Sequence, residues 1–203
     1  MRLQISADFK GVQSALNALP GEIRQRVLAS AINKTMDQAR TAMTREITRE
    51  FAIPARLVRE RLQVRRVSPR TDTLDMEGSL SAGNGQRRGM NLIHFLRQSS
   101  AAKVQARKRG KTGQLSQLQF KIKRNGPAKM VRGAFVGNDG RTVFIRTSST
   151  RLPIKPVTTV GVEQMFNQRA INRTVTRVVV DRFPEIFRRE AAYYLSKFNG
   201  GNR

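Results

Sequence analysis

A chain of 203 residues is long enough for one domain with a sizeable core, and its 39 Lys and Arg against 14 Asp and Glu leave a net charge of +25. That excess is beyond what solubility requires and points to a polyanionic partner. The absence of cysteine excludes disulfides and cysteine-based metal or redox sites and fits assembly in a reducing cytoplasm; no stretch approaches the roughly 20 apolar residues of a membrane-spanning helix.

The first nine residues alternate apolar and polar like a short strand, without the apolar run of a secretory signal. Residues 12–19 read as a helical turn. Residues 20–51 carry the pattern around which the chain is organised. Ile23, Val27, Leu28, Ala31, Ile32, Ala39, Met43, Ile47 and Phe51 recur at steps of three and four, which is one face of a helix. Arg24, Arg26, Arg45, Arg49, Asp37, Glu46 and Glu50 occupy the other face, directed to water or a partner. Pro20 and Glu22 suit its first turn, and Pro54 is its expected stop. A helix of this length spans roughly 45 Å, so the rest must pack against it.

Residues 55–62 read as a basic helix and 63–68 as a strand. A further strand is expected over 75–82, with Met76 and Leu80 on one face, followed by a turn at Gly83, Asn84 and Gly85. Residues 91–96 read as an apolar strand. Ser, Gly, Gln, Lys and Arg dominate 97–117, where a flexible basic insertion is expected. Leu118, Phe120 and Ile122 alternate with Gln119, Lys121 and Lys123 in a strand. With strands at 130–136 and 142–146 and a hairpin turn at Asn138, Asp139 and Gly140, this predicts an antiparallel meander. Residues 152–157 read as an extended connection stiffened by Pro153 and Pro156. Helix is expected over 161–181, kinked or restarted at Pro184, with Gly200 and Gly201 as the stop. The architecture is α+β: a long helix on an antiparallel β-sheet, a basic extended loop or arm, and C-terminal helices, in a single domain over 1–203.

Catalytic chemistry finds little support. Gly110, Lys111 and Thr112 end like a phosphate-binding loop, but Gln105 stands where its first glycine belongs and no buried strand precedes it. His94, the single histidine, lies in an apolar run and reads as a structural, partly buried residue. Asp75 and Glu77, near Asp72, could share a strand face, but a solvated or salt-bridged face explains them better than a cation site. No catalytic residue, metal site or cofactor is assigned.

The positive charge is the informative signal. Residues 78–138 hold no Asp or Glu, while Arg87, Arg88, Arg97, Lys103, Arg107, Lys108, Arg109, Lys111, Lys121, Lys123 and Arg124 fall inside, together with Lys129 and Arg132. A solvated face normally mixes signs; this stretch does not. With no aromatic residue between Phe95 and Phe120, stacking on single-stranded bases is disfavoured. The expected contact is sequence-indifferent, with duplex phosphates or an acidic protein surface.

The order of blocks adds a resemblance. Ala31-Ile32-Asn33-Lys34, then Arg56-Leu57-Val58-Arg59-Glu60-Arg61-Leu62, a basic middle, Gly133-Ala134-Phe135-Val136 and Pro153-Ile154 before a helical terminus resemble the lambda-type minor tail protein Z family of tailed bacteriophages, over roughly residues 20–198. The resemblance implies a non-enzymatic tail-completion or neck protein in the virion, forming a ring, commonly six-fold. It would sit at the head–tail junction with a tail terminator or tail tube protein and head–tail connector proteins, and help to position viral double-stranded DNA. A free, sequence-nonspecific nucleic-acid-binding protein explains the charge equally well, but not the terminal helices or the order of blocks.

Overall fold

The computed structural model describes residues 2–5, 12–69, 76–83, 89–97 and 118–201. In chain order it contains β1 (Arg2–Ile5), α1 (Val12–Asn17), α2 (Gly21–Glu50), α3 (Ala55–Arg61), β2 (Leu62–Arg65), β3 (Gly78–Ala82) and β4 (Met90–Asn91). A 3-10 helix (Leu92–Phe95) follows, then β5 (Gln119–Phe120), β6 (Lys129–Met130), β7 (Phe135–Gly137), β8 (Thr142–Arg146), β9 (Ile154–Pro156) and β10 (Thr158–Thr159). The described chain ends with α4 (Val162–Phe166) and α5 (Arg169–Gly201).

The expected long helix is α2, and its apolar stripe is the core: Val27, Leu28, Ala31, Ile32, Ala39, Met43 and Ile47 are fully buried, as is Met36. Its main partner is α5, running antiparallel. The end of α2 meets the start of α5 through Glu50 and Gln168, and its middle meets the second half of α5 through Ser30, Lys34 and Glu190. From α5, Val175, Val179, Phe183, Ile186 and Phe187 complete the interface. Burying such side chains contributes about 1.5–3 kcal/mol each, which neither helix could realise alone.

The second partner of α2 is the antiparallel sheet β1-β3-β2, with Leu80 of β3 opposite both Leu3 and Val64. Gly78 permits the close approach: a Cβ there would lie 2.6 Å from Ile32 Cγ2 and 3.1 Å from Met36 Cγ. The fold class is thus α+β, with a helix pair and small antiparallel sheets.

Several boundaries differ from expectation. Helix α2 ends where its apolar pattern does, at Glu50 with Phe51 already extended at φ −108° and ψ 144°, so that Pro54, the expected stop, lies three residues beyond Phe51 and leads into α3. Glu46 is not on the water face: it is buried and paired with Arg49 at 2.5 Å. Residues 91–96 form the end of β4 and a 3-10 helix instead of a strand, because the Asn91 side chain accepts from Ile93 N and caps that turn. The 130–136 strand is divided, since the chain turns at Val131–Ala134 with Gly133 at φ +74°.

The meander is therefore two sheets, β5-β6 and β7-β8-β9. The proline-stiffened connection supplies β9, which pairs with β8 and sets Pro156 opposite Phe144 at the sheet edge, where a missing N–H is tolerated. The hairpin at Asn138 (φ 51°), Asp139 (φ 53°) and Gly140 (φ 83°) forms as expected between β7 and β8.

The C-terminal helical region is divided elsewhere than anticipated. The Asn172 side chain donates to the Phe166 carbonyl, closing α4 before Gln168. Helix α5 then runs 33 residues with Pro184 inside it. Proline removes the bond to the Val180 carbonyl, but buried Val179, Phe183, Ile186 and Phe187 hold both flanks on α2. Gly200 and Gly201 form its last turn instead of following it.

One buried carboxylate locks the helix pair. Glu190, 3% exposed, accepts from Ser30 Oγ at 2.8 Å and Lys34 Nζ at 2.6 Å. Burial pushes its pKa up, but the hydrogen bonds from Lys34 and Ser30 and the charges of Lys34 and Arg189 outweigh this and hold it below the ordinary glutamate range. A depressed carboxyl stabilises the fold fully above its unfolded pKa, and that stability is lost as pH falls through the folded value. Glu190→Gln should lower unfolding stability by about 1.5–3 kcal/mol at pH 7, with the gap narrowing below about pH 4. Urea titrations at both pH values measure this.

Candidate functional site

The segment expected to form the basic arm leaves and re-enters the fold at one place. Leu96 and Phe120 form an antiparallel bridge, Arg97 N donates to Gln119 O at 3.0 Å, and Lys121 N donates to Phe95 O at 2.9 Å. Phe95 and Phe120 are each 2% exposed, so the clamp is anchored in the core. Of the candidate residues, Arg87, Arg88, Lys103, Arg107, Lys108, Arg109 and Lys111 lie outside the described residues, as do the Gly110-Lys111-Thr112 motif, Asp72 and Asp75.

The four described candidates, Arg97, Lys121, Lys123 and Arg124, lie on this clamp or on the turn that follows it. From β5 the chain crosses the C-terminal end of α2: Ala52 N donates to Ile122 O, and Arg124 N donates to Glu50 O, both at 2.8 Å. Arg124 Nε donates to Thr48 O at 2.8 Å, and Lys123 Nζ pairs with Glu50 at 3.3 Å. Carbonyls in the last turn of a helix lack intrahelical donors and carry partial negative charge. Lys123 and Arg124 therefore complete α2 as well as adding positive charge. Arg97 is exposed and Lys121 half-buried, and the side chain of neither makes an ion pair among the described residues.

The same end receives the start of α5. With its amide nitrogen toward Glu50, Gln168 donates to both carboxylate oxygens at 3.1 and 2.9 Å. Glu50 is thus held from two sides, and Arg169 follows directly. Sequence reasoning confined the candidate cations to the acid-free stretch and so missed Arg169, Arg173 and Arg177; their four-residue spacing was the available signal. His94 differs from expectation too, standing exposed between buried Ile93 and Phe95.

A second basic location, a cleft of about 200 Å³ lined by Asp37, Arg40, Thr41, Thr44 and Arg59, lies between α2 and α3. Most of its groups are engaged in packing: Arg66 holds both Asp37 carboxylate oxygens at 2.9 and 3.0 Å, and Arg40 Nη2 caps α3 at Arg59 O, leaving Arg40 Nε buried without a partner among the described residues. Among the described residues no group of three His, Asp or Glu could hold a metal ion, and no helix is long and apolar enough to cross a membrane.

Because the clamp joins both ends of the basic segment, replacing residues 98–117 with a short Gly-Ser linker should shift Tm by no more than a few degrees. Phe120→Ala should destabilise by about 3–5 kcal/mol. Thermal unfolding of both variants tests the assignment; a deletion as damaging as the core substitution would contradict it.

Comparison with curated proteins and with solved structures found no match. Residues 9–199 match the family described as prophage minor tail protein Z (GPZ). That match spans nearly the whole chain, including both long helices and the Leu96–Phe120 clamp, and it agrees with the order of blocks read from the sequence. The chain belongs to the prophage minor tail protein Z family.

Proposed function

We propose that this minor tail protein completes the tail at the head–tail junction, as a non-enzymatic ring of identical copies whose basic end faces viral double-stranded DNA. Membership of the family carries the coarser part, a structural role in the phage tail and residence in the virion tail. The observation that supports the finer part is the gathering of Arg97, Lys121, Lys123 and Arg124 at the root of a segment rich in Lys and Arg.

Contacts of this kind neutralise phosphates without reading sequence. A protein that holds a DNA end needs affinity for any sequence the end carries. The helix pair and sheets supply the rigid body of the ring subunit, six copies per ring in this reading. The remaining partners would be a tail terminator or tail tube protein on one side and head–tail connector proteins on the other.

Electron microscopy of purified particles tests this. Particles assembled with the protein should show a ring at the head–tail junction that is missing from particles assembled without it. Absence of the protein from intact virions would overturn the reading in favour of a free nucleic-acid-binding protein, and density at the distal tail tip would overturn the junction position alone.

A further inference from the structure

We propose that Arg169, Arg173 and Arg177 form a rigid contact strip for the phosphate backbone of duplex DNA, continuous with Lys121 and Arg124 and separate from the basic segment 98–117. The inference rests on the reading that the protein meets viral DNA, and not on its position in the particle.

The placement comes from the fold. Ile171, Val175 and Val179, at 3%, 0% and 5% exposure, fix the inward face of the first turns of α5. The three arginines at four-residue spacing are therefore turned outward, and all three are exposed. At 1.5 Å per residue they form a row about 12 Å long. None makes an ion pair among the described residues, whereas Arg182 further along the same helix pairs with Glu185 at 2.9 Å. The Gln168–Glu50–Lys123 contacts join the start of this row to the turn carrying Arg124.

Folding alone does not account for the row. The first turn of α5 contains no acidic residue and begins with Arg169, which sits at the positive end of the helix dipole, where negative charge is favoured. Arg173 stands four residues from a like charge on either side, which is destabilising, and Asp181, four residues beyond Arg177, makes no ion pair with it among the described residues. Three exposed arginines at like-charge spacing, the first of them at the positive helix end and none with a carboxylate partner among the described residues, are groups free to meet an anion outside the chain. Guanidinium matches phosphate bidentately. A regularly spaced row suits a regularly charged polymer, and no aromatic side chain in these turns offers stacking. Duplex backbone is the partner this favours.

The test uses the full-length protein and a labelled duplex oligonucleotide of arbitrary sequence, with binding followed by fluorescence anisotropy as KCl is raised. The R169Q/R173Q/R177Q variant should reduce the slope of log affinity against log salt by about 2.7 per protomer, at about 0.9 for each phosphate no longer neutralised. Removing the same charge elsewhere, with R26Q/R65Q/R151Q at exposed positions outside the acid-free stretch, should change the slope by less than about 0.9. The corresponding triple lysine variant should keep most of the slope. Thermal unfolding should find the glutamine variant at least as stable as the parent; if it does not fold, R173Q alone should lower the slope by about 0.9.

Equal slopes for the two triple glutamine variants would overturn the proposal, as would a parent protein that does not bind duplex DNA. A reduced slope in this assay together with density at the distal tail tip would retain the strip and reject the junction.

Discussion

Neither long helix can bury its apolar stripe without the other, and that mutual requirement governs the molecule. Val27, Leu28, Met36, Met43 and Ile47 of α2 and Val175, Phe183 and Phe187 of α5 are almost wholly removed from water. Glu190 turns this contact into a specific one, since a carboxylate at 3% exposure is tolerated only where Ser30 and Lys34 can reach it. The β1-β3-β2 sheet then closes another side of α2, with Gly78 providing the close approach. The remaining small sheets are placed by short ladders and by the core residues around the 3-10 helix.

Antiparallel pairing has an electrostatic consequence at one end. The C-terminus of α2, partially negative, lies beside the N-terminus of α5, partially positive. Lys123 and Arg124 meet the first of these and satisfy Glu50 and the Thr48 carbonyl while leaving their positive charge at that end. Arg169 meets the second and is opposed by it, with Arg173 and Arg177 following on the same exposed face. The same residue types therefore play different parts within a small region, one set completing the helix and the other directed outward. The clamp formed by Leu96 and Phe120 adds the root of the basic segment nearby.

Much of this is legible in the amino-acid sequence. Helix α2 is readable because a run of 30 residues keeps a 3.6-residue period without interruption, and the Asn138-Asp139-Gly140 turn because its residues accept positive φ. What escapes are features decided by tertiary context. Pro184 reads locally as a break, yet packing on both flanks carries α5 through it. Pro153 and Pro156 read as a linker, yet an edge position lets β9 pair with β8. Glu46 falls in a charged run, and only the packed structure shows it buried beside Arg49. The candidate site follows the same rule. A long stretch without acids is visible in sequence, but which cations serve the helix end and which point outward depends on the chain crossing that brings residue 124 to residue 48.

In the proposed role, the end of the helix pair where α2 stops and α5 begins faces viral DNA. Photo-crosslinking inside intact virions addresses it most directly, with a photoreactive residue placed at exposed Ala170 or Thr176 beside the arginine row and at exposed Ala192 as a distant position. The account predicts covalent adducts to DNA from positions 170 and 176 and few or none from position 192. Adducts from 170 and 176 to tail or connector proteins alone would contradict it, and would assign that basic end to an acidic protein surface.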